Sequence, residues 1–187
     1  MLSRTHDIGA FATLLTATIY LQPSHLGMAT VSISIIANII GSLLPDIDQA
    51  SNRLWDMLPG GNLIGKILRN IFLSHRTISH SILGLFLIYK FNYWLLFALF
   101  NQTFVNPEII IYSLIIGYLS HLFLDSLTEE GIPLFFPIKW KFGFPPVKKW
   151  RIKTGRWFEN WVIFPSISSY ILYLFYSYSS LFYKAIF

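Results

Sequence analysis

Cysteine is absent from the 187 residues, and charged residues are scarce, at 12% of the chain. The absence of cysteine excludes disulfides, thiolate metal ligands and a cysteine nucleophile, so any metal must be held by His, Asp or Glu. Hydrophobic residues make up 54% and aromatic residues 18% of the sequence, and the mean hydropathy is +0.55. This composition is too apolar for an ordinary soluble domain and indicates an integral membrane protein.

The hydrophobic segments predict an all-α fold, a polytopic membrane helical bundle that forms one domain over residues 1–187. A run of about 20 apolar residues is long enough to cross the hydrocarbon core of a bilayer. The fourth such run contains no Lys or Arg between Ile109 and Leu127. We predict about five spans, with long loops at 45–79 and 128–160. The predicted spans cover residues 8–21, 26–44, 80–100, 109–127 and 161–183.

Basic residues fall on one side of this predicted topology. The segment before the first span contains one, the loop 45–79 contains four and the loop 128–160 contains seven of the 14 Lys and Arg residues. The opposite turns, at 22–25 and 101–108, contain none. The positive-inside rule therefore predicts an inner-membrane protein whose N-terminus and long loops are cytoplasmic. The basic loop 128–160 also favours contact with the headgroups of anionic membrane lipids.

A histidine and a carboxylate interrupt the apolar run of the fourth span. His121 and Asp125 are four residues apart, so they share one face of a helix. Ionisable groups at membrane depth are costly, and they usually mark a functional site. The alternative is a His–Asp hydrogen bond that only holds helices together.

Other imidazoles and carboxylates are predicted to lie at the same cytoplasmic level. Each has a simpler explanation when taken alone. Asp46 and Asp48 are compatible with an ordinary Pro-Asp turn, His75 and His80 flank a helix cap, and His6 is compatible with a polar N-terminal residue. Together they predict a metal centre at the cytoplasmic face, to which distant segments of the chain contribute ligands.

Imidazole and carboxylate ligands without sulfur suit zinc, or else manganese or iron. The candidate ligands outnumber those of one tetrahedral ion, so two or more ions are predicted, with Asp46 or Asp125 as a bridge. Such a cluster activates water and offsets ester charge, which favours hydrolysis, especially of phosphoesters. Glu129 and Glu130, after the fourth span, are candidates for the general base, and Arg76 is a candidate clamp for ester charge.

The combined motifs resemble those of a known family. They are Thr5-His6, LPDID at 44–48, HRTISHS at 75–81 and GYLSHLFLDSLTEEGIPLFFP at 117–137. These motifs are similar to those of the YdjM-like membrane-bound metal-dependent hydrolases, also described as LexA-binding, inner-membrane-associated hydrolases of bacteria and archaea. More loosely, the sequence is similar to the superfamily of zinc-dependent phospholipase C and single-strand nucleases, whose sites hold several zinc ions. The first resemblance implies the metal-site residues His6, Asp46, Asp48, His75, His80, His121 and Asp125.

Two classes of function remain open at this stage. The first is a membrane hydrolase that cleaves a phosphoester or lipid-like substrate at the cytoplasmic face. The second is a non-enzymatic protein, either a scaffold that recruits a cytoplasmic partner or a metal-binding transporter. A transporter should carry ionisable groups through the full depth of the bilayer, whereas Lys90 is the one clear charge toward the opposite side. Direct nucleic-acid binding is not expected.

Overall fold

The computed structural model describes residues 1–23, 26–47, 49, 52–56, 61, 78–100, 102–138 and 140–186. Over these residues the protein is a helical bundle, which confirms the predicted all-α class. A five-residue π-helical turn, Glu159–Ile163, leads directly into the last helix. The helices are α1 (Ser3–Leu21), α2 (Gly27–Leu43), α3 (Arg53–Asp56), α4 (Ile82–Leu99), α5 (Pro107–Ser126) and α6 (Phe164–Ile186).

Side-chain caps set the starts of α4 and α5. The Ser81 hydroxyl accepts a hydrogen bond from the backbone N–H of Gly84 at 3.1 Å, which satisfies a donor in the first turn of α4. At α5, the Asn106 side chain accepts from the N–H groups of Glu108 and Ile109, and proline occupies the first helical position. These caps place His80 just before α4, and they fix where α5 begins.

Among the described helices, α2 and α5 make the most extensive contact. A Cβ atom on Gly117 would lie 2.0 Å from the carbonyl oxygen of Asn38, and one on Gly41 would lie 2.0 Å from that of Leu114. Only glycine fits such an approach of two backbones, as is common where helices pack within membranes. α2 then continues into a 3₁₀ turn, Leu44–Asp46, so that its end lies beside the second half of α5.

Within the described residues, three helical segments are long and apolar enough to cross a membrane: Gly27–Asp46, Ile82–Leu99 and Pro107–Ser126. The predicted first and fifth spans are also helical, as α1 and α6. Their many Thr, Ser and Tyr side chains lower the hydropathy of both helices. The count of five spans and the single-domain division therefore stay predictions.

The described part of the loop after α5 is organised by backbone bridges and one arginine. Isolated bridges join Thr128 to Ile152 and Ile132 to Phe142. The Arg151 guanidinium donates hydrogen bonds to the carbonyl oxygens of Pro145, Gly143 and Pro146, at 2.7, 3.0 and 3.2 Å. Arg151 thus supports the loop that leads the chain back to α6.

Candidate metal centre

Five of the seven predicted metal-site residues lie together at one end of the bundle. Four of them are no more than 2% exposed, and the fifth, Asp46, is 25% exposed. Asp48 and His75, together with the predicted clamp Arg76, lie outside the described residues. The five come from α1, the end of α2, the turn before α4, and α5: His6, Asp46, His80, His121 and Asp125.

The carboxylate of Asp125 is central to this group. Its Oδ1 lies 3.2 Å from His6 Nε2, and its Oδ2 lies 3.6 Å from the Nε2 atoms of His80 and His121. Asp46 Oδ1 lies 3.4 Å from His80 Nε2 and 3.8 Å from His121 Nε2. Two ligand atoms on one tetrahedral zinc ion, with bonds of about 2.1 Å, are about 3.4 Å apart. The observed separations therefore fit ligands that share metal ions.

The ligand atoms form two overlapping groups. One contains His6, His121 and Asp125, and the other contains Asp46, His80 and His121; within each group all ligand atoms lie within 4.8 Å of one another. The rings of His6 and His121 stack with centroids 3.8 Å apart, and His80 meets His121 edge-on at 5.3 Å. Because Asp125 directs one oxygen to His6 and the other to His80 and His121, it is placed as a bridging carboxylate would be.

Hydrogen bonds behind the cluster orient two of its histidines. His121 Nδ1 donates to the carbonyl oxygen of Ser42 at 2.6 Å, and since a carbonyl only accepts, Nε2 carries the lone pair that faces Asp46 and Asp125. Ser79 Oγ lies 3.2 Å from His80 Nδ1, and the Tyr118 hydroxyl donates to the Ser79 carbonyl oxygen. Sequence reasoning missed Ser42 and Tyr118. The only sequence signal for these two residues is helical spacing, since Ser42 lies four residues before Asp46 and Tyr118 lies three residues before His121.

Buried polar atoms in the cluster fit a metal ion. His121 Nε2 and Asp46 Oδ1 are buried and make no hydrogen bond within the part of the chain that the structure describes. Each such atom normally costs about 1–3 kcal/mol unless it is satisfied, and coordination would satisfy both. Nitrogen and oxygen donors without sulfur suit Zn, with Mn or Fe as alternatives. A polar cavity of about 80 Å³ adjoins these atoms, and Ser3, Gln49 and Asn52 also line it.

The N-terminal segment is fastened beside the cluster. The amino group of Met1 donates to Asp125 Oδ1 at 2.5 Å, so a positive charge lies against the buried carboxylate. The backbone N–H of Leu2 donates to Glu159 Oε1 at 2.7 Å, and Arg4 donates to Asn160 Oδ1 at 2.8 Å. These contacts hold the start of α1, and His6 with it, against the turn that precedes α6.

Glu159 is a fully buried carboxylate that the sequence analysis did not single out. Besides Leu2, it accepts a hydrogen bond at Oε2 from the N–H of Gly155, at 2.7 Å. Burial alone would raise the pKa of Glu159, but these backbone hydrogen bonds outweigh it and lower the pKa. The carboxylate therefore stabilises the fold at neutral pH, and this contribution is lost as the pH falls below the ordinary carboxyl range.

Glu159→Gln should lower the free energy of unfolding by about 1–3 kcal/mol at pH 7, because an amide NH₂ would then face a backbone N–H donor. Thermal unfolding of the purified protein, followed by tryptophan fluorescence, measures the change. The difference from wild type should shrink as the pH is lowered below the ordinary carboxyl range. Glu108→Gln, at an exposed position in the first turn of α5, is the matched control. Equal destabilisation by both variants would contradict the assigned role of Glu159.

The predicted general-base candidates lie just beyond α5. Glu129 Oε1 is 3.9 Å from Lys153 Nζ, and the Glu129 N–H donates to the carbonyl oxygen of Ile152 at 3.1 Å. Neither Glu129 nor Glu130 belongs to the two ligand groups or lines the polar cavity. A catalytic role for these two residues stays a prediction.

Comparison with known proteins shows similarity over nearly the whole chain. The YvsG protein of Bacillus subtilis is 28% identical over 163 residues, which cover 87% of this chain and 88% of that protein. The inner membrane protein YdjM of Escherichia coli is 33% identical over 107 residues, covering 57% of this chain and 50% of that protein, and the YdjM protein of Shigella flexneri matches equally. No solved structure matches.

The family comparison agrees with the motifs and the fold. The YdjM inner membrane protein family matches residues 1–186. This match and the three long apolar helices confirm the predicted multi-pass, inner-membrane location. The cytoplasmic position of the N-terminus stays a prediction. The chain belongs to the YdjM family of inner membrane proteins.

Proposed function

We propose that this protein is a metal-dependent hydrolase that cleaves a phosphoester in a lipid-like substrate at the cytoplasmic face of the inner membrane. The observation that supports this most is the spacing of the five ligands, with donor atoms 3.2–3.8 Å apart around Asp125 and Asp46. A site built at the ends of apolar helices makes most sense if its substrate is also in the membrane.

Metal ions bound in the cluster would activate a water molecule and stabilise charge on the ester oxygens. The residues of the chain hold and orient the parts of this site. Asp125 links the histidines of both ligand groups, and the hydrogen bond to the Ser42 carbonyl fixes the orientation of His121. Asp46, the most exposed of the five ligands, lies at the polar cavity, where water and a polar headgroup would enter. Ser3 lines the same cavity and offers a hydroxyl to an ester oxygen.

One observation favours the second candidate, a metal-stabilised scaffold that recruits a cytoplasmic partner. The cluster joins α1, the end of α2, the turn before α4, and α5, so bound metal would also cross-link the bundle. A purely structural metal would hold the fold without activating water. The His121→Ala variant distinguishes the two candidates.

His121→Ala should abolish metal-dependent hydrolysis, by about 1,000-fold or more, while the protein stays folded in the membrane. Wild type and variant would be reconstituted in lipid nanodiscs and assayed with Zn²⁺ or Mn²⁺ against phosphatidic acid and bis(p-nitrophenyl) phosphate. His25→Ala is the matched control, since the sequence places His25 in the opposite turn; it lies outside the described residues. Stoichiometric metal without turnover of any phosphoester would overturn the hydrolase in favour of the scaffold.

A further inference from the structure

We propose that one hydrocarbon chain of a membrane lipid binds in an apolar groove between α1, α2, α5 and α6, with the ester headgroup of that lipid at the metal centre. The inference rests on the proposed function and specifies its substrate class. The groove encloses about 210 Å³. Its lining includes Leu14, Ala17, Leu21, Ile35, Ile116 and Phe175.

The groove follows the same helices that carry the metal ligands. Phe11 lies five residues after His6 on α1, and Ile116 lies five residues before His121 on α5. With a rise of 1.5 Å per residue, the near end of the groove is about 8 Å from the ligands along each helix. Leu21, fifteen residues after His6, marks the far end at about 22 Å. The groove thus begins about 8 Å from the cluster and runs away from it, in the direction in which a lipid chain would leave its headgroup.

Two hydroxyl groups in the lining are bonded to the backbone of their own helices, whereas Ser34 Oγ is buried without a hydrogen bond in the described part of the chain. Thr18 Oγ1 donates to the Leu14 carbonyl oxygen at 3.0 Å, and Ser113 Oγ donates to the Ile109 carbonyl oxygen at 2.8 Å. These side chains satisfy their polar atoms on their own helices, which is common for Ser and Thr in apolar helices. They therefore present mainly carbon to the groove, and the groove has little to offer a polar ligand.

The rim of the groove identifies hydrocarbon as its occupant. Leu21, Tyr112 and Phe175 line the groove and are 73%, 54% and 43% exposed, so the groove opens to the outside of the bundle. At this depth the surroundings are lipid chains, because the hydrocarbon core contains no water. An apolar space left empty loses dispersion contacts that a chain would make. The polar cavity at the cluster and the apolar groove beyond it match the two ends of an amphiphile.

Ala17→Trp, which places a large ring in the groove, tests the proposal through substrate preference. The ratio of kcat/KM for a long-chain phosphatidic acid to kcat/KM for a short-chain, water-soluble one should fall at least about tenfold. Ala98→Trp, at an exposed position of α4 outside the groove, should leave the ratio unchanged. Ile116→Phe is the second variant if Ala17→Trp does not insert. An unchanged ratio in folded groove variants would overturn the proposal.

A cross-linking experiment tests the groove independently of hydrolysis. Phosphatidic acid with a diazirine near the end of one acyl chain is added to the nanodiscs, which are then irradiated. Peptide mass spectrometry identifies the residues to which the lipid is cross-linked. Labels should concentrate on residues 11–21 and 109–116, and Ala17→Trp should reduce them at least about threefold. Labels confined to the exposed faces of α4 would overturn the proposal. Labels in the groove without turnover of any phosphoester would support binding of the lipid chain and contradict the proposed hydrolase activity.

Discussion

Asp125→Asn should reduce the metal content from the two ions per chain that the sequence predicts to none, and lower the proposed phosphoester turnover at least about 1,000-fold, or about 4 kcal/mol in the activation barrier. The change keeps the size of the side chain but removes its negative charge. Asp125 lies 3.2–3.6 Å from His6, His80 and His121, so the histidines of both ligand groups lose a neighbouring anion. A neutral amide oxygen is a much weaker ligand for a divalent ion than a carboxylate.

Asp46→Asn is the matched control for this prediction. Asp46 lies near two of the three histidines, His80 and His121, whereas Asp125 lies near all three, so this variant should keep about one ion per chain. Elemental analysis of protein purified in parallel measures both variants, and circular dichroism checks that the helices are intact. Full metal occupancy in folded Asp125→Asn protein would contradict the assignment of this cluster as the metal centre.

Removal of the metal from wild-type protein should lower its thermal midpoint by roughly 10 °C. An ion present at 1,000 times its dissociation constant contributes about 4 kcal/mol to folding. For a chain of this size, 1 kcal/mol corresponds to about 2–4 °C. The effect should be large here because metal removal leaves the negative charge of Asp125 buried in an apolar bundle with less positive charge to balance it.

The measurement is thermal unfolding before and after treatment with a strong chelator, followed by addition of excess Zn²⁺ or Mn²⁺. Restoration of the midpoint by one of these ions, but not by Mg²⁺, would agree with a site rich in imidazole. The Asp125→Asn protein serves as the control, since the chelator should leave its midpoint unchanged. A wild-type midpoint that does not respond to the chelator would refute a metal-supported bundle.

The helices and part of the cluster could be predicted because their sequence signals come either from neighbouring residues or from the composition of long segments. Apolar runs of sufficient length leave few structures other than helices. The pairing of His121 with Asp125 follows from helical spacing. The distribution of Lys and Arg, a property of the whole chain, predicts that His6 and His80 lie at the same membrane level. The structure brings His6, His80 and His121 within 3.6 Å of Asp125.

Other parts of the site have no comparable sequence signal. The acceptor that orients His121 is a backbone carbonyl, and every residue has one, so Ser42 could not be singled out. The contact between α2 and α5 depends on which glycines face each other, which requires the packing of both helices. Glu159 was missed because its partners are backbone N–H groups of distant or irregular segments. The predicted site residues His75 and Arg76 lie within 62–77, outside the described part of the chain.

The origin of the ligands has a consequence for biosynthesis. His6 leaves the ribosome early, whereas His121 and Asp125 follow only after two further membrane segments have been translated. A cluster drawn from such distant parts of the chain cannot bind the proposed metal ions during early insertion. Loading of these proposed ions is therefore expected late in maturation, and a ribosome-bound chain that ends before α5 should not bind them.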